Sequence, residues 1–134
     1  MANSLFNPGR EGFLIGEIDY DTDDIRVMLV RSTYSFDATD KFITDIGAVD
    51  NGRTAALAGK TGTDGIADAT NTSLVATAAV ACNALILFKH TGADATARLI
   101  GYIDTVASGL PLTPAAGGTV DINFDDGANK IFKL

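Results

Sequence analysis

The chain has 134 residues, 17 acidic and 10 basic side chains, a net charge of −7 and a single cysteine. The acidic balance argues against a nucleic-acid partner, which needs clustered Lys and Arg. One cysteine, Cys82, excludes an intrachain disulfide, and no apolar run reaches the about 18 residues of a membrane span. One domain of this length buries roughly 68% of its unfolded surface. Fifteen of the acids are Asp, and with 14 Gly they favour turns and short strands over helices.

Residues 1–12, MANSLFNPGREG, have no basic region followed by an apolar stretch, so they do not read as a secretory signal. They read as a polar N-terminal arm, leaving 13–134 as a single β domain. The next stretch, 13–31, reads as a hairpin around the acidic turn Asp21-Thr22-Asp23-Asp24. In that register Tyr20 faces Ile25, Ile18 faces Val27 and Gly16 faces Leu29 on one side. On the other side Asp19 meets Arg26, Glu17 meets Met28 and Ile15 meets Val30. Ile15, Met28 and Val30 then lie opposite the main core, under a second cover or in an oligomer interface.

From Thr39 or Asp40 as cap, the spacing of Phe42, Ile43 and Ile46 predicts one or two helical turns. Short strands are expected near 53–58 and 65–69, and 72–81 reads as strand despite its alanines. Ala84–His90 is a continuous apolar run of the kind buried on both faces. It forms a second hairpin with Arg98–Thr105 across a Gly/Asp/Ala loop. The Pro-containing stretch 108–118 is a turn-rich connection. Thr119–Phe124 alternates, with Val120, Ile122 and Phe124 inward. Asp125-Asp126-Gly127 then turns into a last strand at 130–134. About eight strands, no alternating helices and no fixed repeat imply a mainly β fold. The architecture expected is a small antiparallel sandwich, jelly roll or barrel-like domain with one short helix at most.

The candidate chemistry is thin. Gly59-Lys60-Thr61 lacks the glycine a phosphate loop needs five residues earlier, where Thr54 stands. Asp19, Asp21 and Asp23 open like a calcium loop, but Asp24 and Val30 occupy the positions of its Gly and its bidentate Glu. They remain weak metal candidates at the hairpin tip, and a solvated acidic turn explains them better. His90 has no G-x-S-x-G partner motif and sits where an edge histidine belongs. A His/Cys metal cluster lacks ligands, Cys82 among alanines reads as a small core residue, and Asp125-Asp126 is a turn before it is a dyad. No enzyme, cofactor or small-molecule substrate is indicated.

The hairpin residues also carry a likeness. Phe13-Leu14, Gly16, Ile18, Tyr20-Asp21-Thr22-Asp23, Ile25 and Val27-Met28-Leu29-Val30 resemble the opening of small virion proteins of tailed bacteriophages. Those proteins carry an aromatic–Asp–small–Asp–x–Ile/Leu–x–Val core at this point. Tyr34, Phe36, Asp37, Lys41-Phe42 and Asp45-Ile46 continue it. Leu87-Phe88-Lys89, Leu99 through Asp104 and Ile122-Asn123-Phe124 follow in the same order. The likeness runs from Phe13 to Leu134 and is loose over 47–81.

This resemblance implies a structural virion protein without catalytic residues. The acidic balance suits the outer surface of the head, and a small rigid β domain without chemistry suits the role of a capsid cement or decoration protein. Its partners would be the major capsid protein and copies of itself, and it would be made in the bacterial host cytoplasm. A tail, neck or fibre component and a host-adhesion module are the alternatives. Interface candidates are Phe13, Ile15, Met28 and Val30, with Leu110, Pro111 and Leu112 in the Pro-containing loop. That loop and the N-terminal arm are expected to reach toward a partner.

Overall fold

The computed structural model describes residues 3–134. In chain order its elements are β1 (Ser4–Leu5), α1 (Asn7–Leu14), β2 (Ile25–Arg31), β3 (Asp50–Arg53), β4 (Ile66–Ala67), β5 (Thr72–Val75), β6 (Cys82–Lys89), β7 (Leu99–Ile103), β8 (Val106–Ser108), β9 (Thr119–Phe124) and β10 (Phe132–Lys133). Single 3₁₀ turns lie at Ile43–Ile46 and Thr63–Gly65. Three antiparallel sheets result, of order β1-β7-β6-β2-β3, β5-β9-β8 and β10-β4. The fold is mainly β with ten strands among the described residues, and no sheet closes into a barrel.

The centre is the pairing of β2 with β6, in one register from Ile25↔Lys89 to Val30↔Ala84 and shifted by one residue at Arg31↔Cys82. Both strands are apolar on both faces, so only the middle of a covered sheet suits them. Side-chain alternation sends Ile25, Val27, Leu29, Leu85 and Leu87 to one core, where Leu74, Val120, Ile122 and Phe124 of the three-stranded sheet meet them. Met28, Val30, Ile86, Phe88 and Leu99 go to the other, under Phe6, Ile43, Ile46 and Val49. Each fully buried side chain of this kind contributes about 1.5–3 kcal/mol.

The expected hairpin at 13–31 does not form. Phe13 and Leu14 end α1, residues 15–24 are turns, and the partners of β2 are β6 and β3. The reason lies in the second core. Pairing 13–20 with β2 would press Glu17 and Asp19 against the apolar layer around Met28 and Val30, an unpaired burial of charge. The apolar β6 satisfies the same edge without that cost. Arg26 accordingly pairs with Asp24, 2.9 Å away, and not with Asp19. The second hairpin does form, with Leu85↔Ile103 and Ile86↔Tyr102. Val120, Ile122 and Phe124 point inward as expected.

The N-terminal segment is part of the body, not an arm. Met1 and Ala2 lie outside the described residues, but Ser4 and Leu5 pair with Tyr102 and Gly101, and Phe6 is fully buried. Pro8 opens α1, where its missing N–H costs nothing and its fixed φ favours the helix. One glycine lets the helix lie directly on the sheet, and a second lets the following loop fold back against it. A Cβ on Gly9 would stand 2.8 Å from the carbonyl oxygens of Leu99 and Ile100, and one on Gly12 2.6 Å from Ile18. Gly16, at φ +78°, then turns the chain away.

Gly9→Val should therefore destabilise the protein by about 1–3 kcal/mol through overpacking against β7. Urea unfolding followed by far-UV circular dichroism checks this. An unchanged midpoint would mean that α1 does not sit tightly on the sheet.

Candidate functional site

The acidic loop 15–24, singled out as the weak metal candidate, is held by three cations from elsewhere in the chain. Arg98, buried at the start of the β7 segment, donates from Nη1 to the carbonyl of Pro8 at 2.7 Å and from Nη2 to the Glu17 carboxylate. Lys89 at the end of β6 donates to the Glu17 carbonyl at 2.7 Å and to Asp23 Oδ2 at 2.9 Å. Lys60 donates to the Asp23 carbonyl and lies 5.9 Å from the centre of the Tyr20 ring.

Two of the loop's carboxylates, Asp19 and Asp23, accept from its own backbone. Asp19 Oδ1 accepts from the N–H groups of Asp21 and Thr22 at 3.2 and 3.3 Å, and Asp23 Oδ2 accepts from Asp19 N–H at 2.8 Å. The bond with Thr22 holds the Asp19 carboxyl below the usual carboxylate range. Asp21 is exposed. The Asp19 and Asp23 carboxylates are thus engaged in turn closure, and among the described residues no group of three or more His, Cys, Asp or Glu is placed to hold a metal ion.

The other candidate reactive residues lie apart. His90 follows β6, its ring 6.5 Å from that of Phe88. Cys82 is buried at the opposite end of β6, with Asn51 Nδ2 3.3 Å from its sulfur. Burial pushes its thiol up, the reverse of what a nucleophile needs. Gly59 and Lys60 belong to a turn packed on Thr70, not to a strand-to-helix loop. Asp126 stands 3.9 Å from Lys130 at the surface.

Of the interface candidates, Met28 and Val30 are fully buried within the chain's own second core. A covered sheet, not an oligomer contact, accounts for them. Leu110 and Leu112 pack against the first core, and Leu112 exchanges two backbone hydrogen bonds with Cys82 at 2.8 and 2.9 Å. Only Pro111 of that group is exposed, so the Pro-containing loop is tied to the body and does not reach out.

Phe13 and Ile15 fare differently. Phe13 is half-buried, its ring 5.8 Å from that of Phe132, and Tyr20 meets the other edge of Phe132 at 5.8 Å. With Ile18, Ala67 and Leu134 these rings line an open groove of about 390 Å³. Ile15 is 56% exposed, and so are its neighbour Leu14 at 87% and Leu134 at 58%. Sequence reasoning missed Leu14 and Leu134. Asn7-Pro8 is a helix-start signal, and on a helix beginning there Phe13 turns inward and Leu14 outward.

Comparison of the chain with models of protein families, with curated proteins and with solved structures found no match.

Two outcomes follow. Arg98→Ala removes the tie between α1, the loop and β7, and should cost about 1–3 kcal/mol, with faster amide hydrogen exchange confined to 15–24. Exchange unchanged in that loop would count against the clamp. Stability should also depend on acid. The guanidinium of Arg26 holds Asp24, and that of Arg53 holds Asp94, below the usual carboxylate range. Their contribution is complete above about pH 4, the value of a free carboxyl, and is lost as pH falls further through the lowered native values. Asp94→Asn should flatten that acid limb of a melting-temperature profile.

Proposed function

We propose that this chain is a bacteriophage virion structural protein, a cement or decoration protein that binds the outer surface of an icosahedral head and stabilises contacts between capsomers. The observation that carries this reading is a central sheet sealed on both faces within one chain. Such a body is rigid before it meets a partner, so docking costs little conformational entropy. It still leaves Leu14, Ile15 and Leu134, and Val75 on β5, exposed for burial against neighbours.

The sequence likeness to small phage virion proteins supports the same reading. The net charge of −7 suits the outside of a shell better than contact with packaged DNA. Binding that requires the assembled shell stabilises it by mass action. Many copies multiply a modest energy per contact.

Cryo-electron microscopy of the virion tests this. The expected result is density for the chain on the head at on the order of hundreds of copies per particle, as repeated shell contacts require. Density confined to the tail or neck would overturn the cement reading in favour of a tail component.

A further inference from the structure

The open groove borders a second hollow of opposite electrical character. Arg10, Lys130 and Lys133 line a pocket of about 230 Å³ beside α1 and β10, with Asp125 as its one carboxylate. Phe132 is a wall of both hollows, and Arg10 and Phe13, one helical turn apart on α1, line one each. Residues at this spacing share a helix face. The apolar groove and the basic pocket therefore open on neighbouring parts of one surface.

The balance of charge makes the pocket unusual for this chain. Most of the other basic side chains have partners: Arg26 with Asp24, Arg53 with Asp50 and Asp94, Lys89 with Asp23, Arg98 with Glu17. Among the described residues Arg10 and Lys133 form no ion pair, and Lys130 reaches only the exposed Asp126 at 3.9 Å. Within the groove the sign reverses. Asp19 lines it beside Tyr20, and Asp21 follows in the same loop. The cations that reach this loop, Lys60, Lys89 and Arg98, bond to Asp23 and Glu17 and leave Asp19 and Asp21 without an ion pair among the described residues.

An apolar groove with Arg10 and Lys133 beyond its Phe132 wall and Asp19 beside Tyr20 on its own lining carries both signs of charge, as a surface complementary to itself must. A two-fold axis through the groove would place the Phe13, Tyr20 and Leu134 surfaces of two copies in contact. It would set Arg10 and Lys133 of each copy against Asp19 and Asp21 of the other. Two-fold interfaces use one patch twice, so a patch with this layout is what such an axis requires.

We infer that this surface is a homodimer interface, and that its occupant is a second copy of this chain. The inference goes beyond the cement reading and does not depend on it. The opposed charges fix the orientation of the two copies, while the groove supplies the buried apolar area.

The test is a charge exchange, read by sedimentation velocity on the purified full chain from about 1 to 500 μM, the range of weak to moderate association. The wild type is expected to dimerise. The pair Arg10→Glu with Lys133→Glu, and separately Asp19→Lys with Asp21→Lys, should each weaken dimerisation roughly tenfold or more, because like charges then face each other. Mixed in equal amounts, the two variants should form a heterodimer about as tight as the wild type, since both ends are again opposite in sign.

Far-UV circular dichroism confirms that each variant is folded. Because Asp19 closes its turn, Asp21→Lys alone replaces the acidic variant if the double one unfolds. A wild type that stays monomeric throughout overturns the inference. So does a dimer indifferent to either reversal, or a mixture that shows no recovery. Binding to undecorated heads, measured separately, leaves the two readings distinguishable. A monomer that decorates heads sinks only the dimer, and a dimer that ignores heads sinks only the cement role.

Discussion

The pairing of β2 with β6 is the constraint on which the rest of the molecule depends. Two strands, each apolar on both faces, can lie side by side only where both surfaces of the sheet are covered. One cover is the three-stranded sheet, whose β9 brings Val120, Ile122 and Phe124. The other is assembled from irregular chain: Phe6, the 3₁₀ turn with Ile43 and Ile46, and Val49, with Tyr34, Phe36 and Tyr102 packed at its border. The second cover has little regular structure, yet it fixes where the N-terminal segment and the 32–49 connection must run.

Charge does a different job here from the one an acidic sequence suggests. The loop 15–24 carries several carboxylates, but Arg98, Lys89 and Lys60 converge on it from three other parts of the chain. Arg53 joins β3 to the 91–96 loop in the same way, bonded to Asp50 and Asp94 with its guanidinium 5.5 Å from the centre of the Phe88 ring. Exposed pairs of this type add little each. The buried Arg98 is the exception, since its partners replace the water it has lost. Among the cations that these ties leave without an ion pair, Arg10 and Lys133 stand beside one groove.

What could be read from the sequence follows from how local the signal is. β6, β7 and β9 announce themselves by continuous or alternating apolar residues, and their positions are as expected. Leu99 and Ile103, however, expected on one face of β7, are sent to opposite cores by a register shift against β6. The 3₁₀ turn at Ile43–Ile46 also stands where predicted, although its cap is the Asp45 carboxylate reaching back to the N–H groups of Lys41 and Phe42, not Thr39 or Asp40. The hairpin at 13–31 was misread because its pattern is symmetrical. Ile25, Val27 and Leu29 alternate well against Tyr20, Ile18 and Gly16, and only knowledge of the second core shows that Glu17 and Asp19 cannot lie there. The groove was half legible, through Phe13 and Ile15. Its other wall, Phe132 and Leu134, comes from over a hundred positions away, and no local pattern joins the two.

Cys82 has one more implication. Its sulfur is sealed beneath Asn51 and flanked by the Val80 carbonyl, 3.4 Å away, while its backbone is stitched to Leu112. A thiol so enclosed reacts with a disulfide reagent only when the surrounding chain parts. The rate at which such a reagent consumes this one sulfhydryl is a built-in clock for opening at the end of β6. Slowing of that clock when the protein is bound to its partners would report how much rigidity assembly adds.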